Sequence, residues 1–192
     1  MGNDIFIEIF GAVTGLLYVY LEIKQRRAMW IVGGISALTY IIVFLNSGLI
    51  AAMGLQFYFL GMSIYGWKKW GDKSSVAYDG KLRVSKLPGR ILIFSILSSI
   101  VGYFSLAFIL EKYSQDPMPK IDALIAILSM LATYWVTKKY IENWFLWILA
   151  NALAVYLYIN QELYATVVLY FVFLIAAVIG YLHWRKFSES LN

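Results

Sequence analysis

Apolar residues along this chain run in blocks, not in the alternation of a half-buried strand. Seven blocks can be drawn, roughly 5–23, 29–45, 49–67, 91–110, 121–137, 144–160 and 163–183. Each is near the length that crosses about 30 Å of hydrocarbon at about 1.5 Å per residue. The pattern predicts an all-α integral membrane protein with seven transmembrane helices. The connections are short, as at Asn46-Ser47-Gly48, so neighbouring helices must pack antiparallel. The longest loop, roughly 68–90, is polar and basic and is the candidate boundary between domains. The first block begins within MGNDIFIEIF, which has no basic n-region and no small-residue cleavage site. It is therefore expected to be a retained helix.

A register emerges when the chain is laid on itself with a shift of 114 residues. Residues 4–70 fall on 118–184 without a gap, and 15 of the 67 positions are identical. The identities include Tyr20/Tyr134, Lys24/Lys138, Trp30/Trp144, Asn46/Asn160, Gly66/Gly180 and Trp70/Trp184, and Glu8 falls on Asp122. Apolar bias alone would not hold one register through three helices and two loops. A second three-helix unit placed directly after the first would be inverted, and one extra helix restores its direction. Block 91–110 carries no charged residue and has no counterpart, as expected of that linker. The expected plan is 3+1+3 with parallel repeats. Residues 1–70 form the first repeat, 71–117 the loop and linker helix, and 118–192 the second repeat with its tail. Many transporters place substrate at a repeat interface near the membrane midplane.

Composition sharpens this picture. Of 192 residues, 61% are hydrophobic and 14% charged, with a mean hydropathy of +0.72, far from the half-apolar, quarter-charged balance of a soluble domain. The net charge of +5 reflects topology, because the basic residues sit in short loops between blocks. With the N-terminus outside, 14 of 16 lie on the cytoplasmic side, leaving Lys112 and Lys120 outside. The positive-inside rule then puts the C-terminus in the cytoplasm as well. This distribution gives no nucleic-acid patch. The lone His183 reads as interfacial, and Trp30, Trp67, Trp70, Trp144 and Trp184 lie near block ends, where aromatic belts sit. Gly11, Gly15, Gly33 and Gly34 suit close helix approach.

Polar side chains inside hydrocarbon are costly and normally face a bundle interior or a cavity. The sixth block, WFLWILANALAVYLY, places Trp144, Trp147, Asn151 and Tyr158 within about 60° of one another on one helix face. Two indoles, an amide and a phenol suit a flat heteroaromatic ligand, because the rings can stack and stabilise positive charge while the amide fixes orientation. A packing stripe would look the same. Gln56 and Ser63 share a face of the third block, and Asp122 and Ser129 share one of the fifth. Both pairs fit interhelical hydrogen bonding as well as a polar cavity. Glu8 and Asp122 lie near outer helix ends, within reach of interfacial water. Glu22 lies beside Lys24 and Arg26, where a local ion pair is expected. The sequence holds no nucleophile–His–acid set, no metal motif and no phosphate loop, so neither an enzyme nor a bound cofactor is expected.

ENWFLWILAN with Tyr158, the preceding Asp122 with Leu128-Ser129, and SGLIAAMGLQFYFLGMSIYGWKKW resemble the Pnu (PnuC-type) vitamin transporters. The likeness spans nearly the whole chain and is weakest in the 68–90 loop and the fourth block. The SWEET sugar transporters share the 3+1+3 plan, but their Pro-Gln signature is absent. The Pnu resemblance implies facilitated diffusion of an unphosphorylated vitamin across a bacterial inner membrane, with trapping by a cytoplasmic kinase. It also implies a homotrimer with one pathway per protomer. It implies substrate contact by the W-x-x-W-x-x-x-N face, here Trp144, Trp147 and Asn151, and by Gln56. The family has nicotinamide riboside, thiamine and riboflavin branches. The first block, GLLYVYLEIKQ, and the short chain look more like the thiamine branch (PnuT). Thiamine is therefore the expected substrate, with nicotinamide riboside the alternative. Two further readings stay open: an assembly protein, whose stripe would face lipid or a protein contact, and an ion-coupled symporter using Glu8 or Asp122.

Overall fold

A computed structural model describes residues 2–46, 50–71, 84–114 and 116–189. The Asn46-Ser47-Gly48 turn, beyond Asn46, and most of the 68–90 loop lie outside them. The described residues form seven helices: α1 Gly2–Ile23, α2 Met29–Asn46, α3 Ile50–Gly71, α4 Gly89–Tyr113, α5 Pro119–Thr137, α6 Asn143–Asn160 and α7 Tyr164–Glu189. Helices are the natural outcome for such blocks, because in hydrocarbon every backbone N–H and C=O must be satisfied within the segment. Pro88 stands just ahead of α4 and Pro119 opens α5, positions where the missing proline N–H costs nothing. Six helices are both long and apolar enough to span a bilayer. The seventh, α3, matches them in length but is diluted by Gln56, Ser63, Lys68 and Lys69.

The described residues divide into two compact units, one ending before Val84 and one beginning there. In the first unit α2 packs against both α1 and α3. Gly11 and Gly33 make these approaches close. A Cβ at Gly11 would meet the Tyr40 hydroxyl, and one at Gly33 would come to 3.1 Å from Ser63 Oγ and 3.0 Å from the Tyr18 ring. Gly34 touches the Ser63 Cβ at ordinary distance. In the second unit α6 packs against α5 and α7, and α4 lies along α5. There Trp135 Nε1 donates to Ser95 Oγ at 3.2 Å, one buried polar pair tying α5 to α4.

The same local geometry occurs in both units, 114 residues apart. α1 and α5 each end in a left-handed residue, Gln25 (φ 53°) and Lys139 (φ 58°). In each case the next amide reaches back five residues, Arg26 N to Leu21 O and Tyr140 N to Trp135 O, which is the Schellman cap. The chain then turns into α2 or α6 through three short-range bonds, ending Ile31 N to Ala28 O and Phe145 N to Glu142 O.

The tryptophans depart from the belt expectation. Trp30, Trp70, Trp144 and Trp184 are all buried. Trp30 meets Trp70 edge-on at 5.5 Å and 90°, and Trp144 meets Trp184 at 5.4 Å and 89°. Gly66 and Gly180 lie directly under the Trp30 and Trp144 rings, where a Cβ would overlap the indole. Sequence position near a helix end gives depth, whereas the partner one helix away decides burial. Of the five, Trp67 alone is only half-buried, with the Arg27 guanidinium 3.7 Å over its ring and Arg27 Nε donating to the Trp67 carbonyl at 2.7 Å. Glu22 is likewise fully buried and not at an aqueous surface.

Candidate functional site

The α6 helix has two faces. Phe145, Leu149, Tyr156 and Ile159 project outward from the chain, each about half exposed. Opposite them lie Trp144, Trp147, Asn151 and Tyr158 with Ala150, Ala154 and Leu157, all buried or half-buried. The aromatic–amide stripe therefore faces the protein's own interior.

Its members differ from one another. Trp144 is 0% exposed, closed in by Trp184 and Gly180. That is a protein contact, the kind of contact the packing reading anticipates. One turn on, Trp147 is half-buried, and its Nε1, like those of Trp144 and Trp30, is shielded from water with no hydrogen-bond partner among the described residues. Another turn on, Asn151 is 7% exposed. A buried donor left unmade costs about 1–3 kcal/mol, so the Trp147 indole N–H marks a place where an acceptor can bind. Tyr158, two further turns along, leans on Tyr170 of α7 at 5.1 Å, and Tyr170 touches Phe173 at 5.8 Å.

Other predicted residues are placed as follows. Asp122, half-buried near the start of α5, has the Asp116 carboxyl beside it and lies close enough to Tyr158 to act on it electrostatically. Ser129 bonds back to the Ile125 carbonyl at 2.8 Å, within its own helix. Ser63 is buried against Gly33 and Gly34, an α2–α3 packing contact. Glu8 is exposed on α1, with Tyr40 as its neighbour. Gln56 is half-buried on α3 in the first unit. Sequence reasoning passed over Tyr170, although the 114-residue shift sets it on Gln56. It also missed an extended segment ahead of α4. There Ser85 N donates to Lys139 O and Ile141 N donates to Ser85 O, both at 3.1 Å, forming a parallel bridge. Leu87 N then donates to Glu142 Oε2 at 3.0 Å. This strap fixes the α5–α6 turn, and no hydrophobic period announces it.

Long apolar helices, six of them able to cross a bilayer, define the class, a multi-pass membrane protein. A profile of the nicotinamide mononucleotide transporter family matches residues 5–186. The chain belongs to that family, the PnuC family of membrane vitamin transporters. It is 26% identical to the nicotinamide riboside transporter PnuC of Escherichia coli K12 over 95% of this chain and 87% of the relative. It is 25% identical to PnuC of Haemophilus influenzae over 98% and 83%. The riboflavin/roseoflavin transporter RibM of Streptomyces davaonensis is 27% identical over 79% and 71%. A crystal structure of the vitamin B3 transporter PnuC superposes with a TM-score of 0.78 over 99% of this chain and 85% of that one, at 22% identity, which establishes a shared fold.

Proposed function

We propose that this protein carries nicotinamide riboside by facilitated diffusion. The likeness of the first block and the short chain to the thiamine branch points to thiamine instead. The relatives are named for nicotinamide riboside and, in one case, riboflavin, and this favours the first. The observation that carries the reading is on α6, the unsatisfied Trp147 indole N–H with the buried Asn151 one turn on along the same face. A pyridinium carboxamide suits both. Its cationic ring can lie on the indole, and its amide can pair with an asparagine. The ribose hydroxyls supply acceptors for the indole N–H. The α6 stripe holds no lysine or arginine, so nothing on it would neutralise a phosphate. This supports the unphosphorylated riboside over its mononucleotide.

In this reading Trp147 and Asn151 touch substrate, Tyr158 with Tyr170 borders the path, and Trp144 is the packing base of the stripe. Gln56 stays a candidate contact on sequence resemblance. The 3+1+3 plan of parallel repeats, with α3 as a seventh span, is supported by the matched caps and tryptophan pairs. N-out, C-in orientation in a bacterial inner membrane, a homotrimer and trapping by a cytoplasmic kinase complete the proposal. Isothermal calorimetry of the purified protein with nicotinamide riboside, thiamine and riboflavin tests it. Tightest binding of nicotinamide riboside is expected. Tighter binding of thiamine would restore the other branch.

A further inference from the structure

The two tryptophan pairs do the same mechanical job in units that differ in chemistry. In each, a glycine on the third helix lets an indole from the second helix lie flat on that helix's backbone, and a second tryptophan one turn on closes it edge-on. Counting along from the clasped indole gives different neighbours. In the first unit the positions of Trp147 and Asn151 are held by Gly33 and Ala37, which have no ligand-binding group. Gly33 is itself crowded by Ser63 and Tyr18. In the second unit the clasp sits one turn below the unsatisfied Trp147 indole and two turns below the buried Asn151.

We propose that Gly180 and Trp184 are positioning residues, setting the rotation of α6 through Trp144 so that Trp147 and Asn151 present their polar groups together. A clasp fixes rotation because its contact is a flat ring on a bare stretch of backbone, which no longer fits if α6 turns. The strap acts on the same end. Asn143 Nδ2 bonds the Tyr140 carbonyl at 2.6 Å, and Ser85 brackets Lys139 and Ile141, so the start of α6 is held from two sides. The inference rests on the α6 binding reading for its purpose but not for its mechanics.

The test uses the full chain with nitrogen-15 in its seven tryptophans, each giving one indole resonance. Trp147→Phe identifies the Trp147 signal. Gly180→Ala is expected to move that signal and to weaken nicotinamide riboside binding about tenfold, since a small misplacement at a binding group is costly. Adding Trp144→Phe removes the outer ring that the new methyl meets and should restore both. Gly66→Ala, at the matching clasp, should lower the melting temperature by a similar amount and leave the Trp147 signal in place. If Gly180→Ala does not fold, Trp184→Phe should move the signal less, in the same direction. The proposal is overturned if the folded variant leaves the Trp147 resonance unmoved, or if Gly66→Ala moves it equally. If the variants behave as expected but saturating nicotinamide riboside never shifts the wild-type Trp147 signal, positioning stands and the binding site lies elsewhere.

Discussion

At the scale of residues, Trp144 and Trp147 make opposite predictions although one helical turn separates them. Trp147→Ala should weaken nicotinamide riboside binding about thirtyfold, the loss of roughly 2 kcal/mol of cation–π contact, with little change in melting temperature. Trp147→Phe should lose less, because part of the π face remains. Asn151→Leu keeps volume and removes both hydrogen-bonding functions, so it should impair binding in a protein that still folds. Trp144→Ala should instead cost about 3 kcal/mol or more of stability, as expected of a fully buried ring, and a thermal melt would show it. Leu149→Ala, on the outward face, should leave both readouts near wild type. Calorimetry and melting on this set separate ligand contact from packing. Wild-type affinity in Trp147→Ala and Asn151→Leu would make the whole stripe a packing surface. The stripe was legible in the sequence because the helical period assigns a face. The division of labour within it was not, because a face says nothing about which neighbour fills it. The signal was nonetheless present: Trp30/Trp144 and Gly66/Gly180 recur at one offset, the mark of a ring resting on a glycine.

Helix positions follow closely from the sequence, since a bilayer fixes the length of an apolar run. The sixth block, drawn at 144–160, is α6 at Asn143–Asn160, and the second, drawn at 29–45, is α2 at Met29–Asn46. Departures are largest where helices continue beyond the apolar run. α3 and α7 extend through Lys68-Lys69 and Arg185-Lys186, past the tryptophans that close their clasps. Hydropathy ends with the hydrocarbon, whereas packing continues. The strap is the element that periodicity could not give, because three backbone and side-chain bonds in an extended segment leave no pattern. Glu142→Ala should remove the acceptor of the Leu87 amide. A hydrogen bond to a charged group contributes about 1.5–3 kcal/mol, so the Leu87 amide should exchange at least tenfold faster by hydrogen–deuterium exchange. Unchanged protection there would mean that the bridge at Ser85 holds the strap unaided.

For the whole molecule, the proposed N-out, C-in orientation makes a direct prediction. The chain has no native cysteine, so single cysteines at Ser47 and Ser75 should label from outside and inside respectively in intact cells. Labelling of both from outside would reverse the assignment. Transport itself should be equilibrative. In proteoliposomes without a gradient, nicotinamide riboside should reach the external concentration and stop. Accumulation driven by a proton or sodium gradient would overturn uniport and bring forward Asp122 or Glu8. The strap and the clasps also bear on biosynthesis. Each clasp joins residues 40 positions apart on the second and third helices of one unit, so it can close as soon as that third helix has left the ribosome and entered the membrane. Ser85 must instead wait for α4 and α5 before Lys139 and Ile141 exist to receive it. Synthesis thus passes through a stage in which the first three helices are already locked while the segment ahead of α4 still lacks its partner strand. Nascent chains arrested once residues 84–87 have left the ribosome but before α5 has should leave that segment open to protease, and the completed, released chain should protect it.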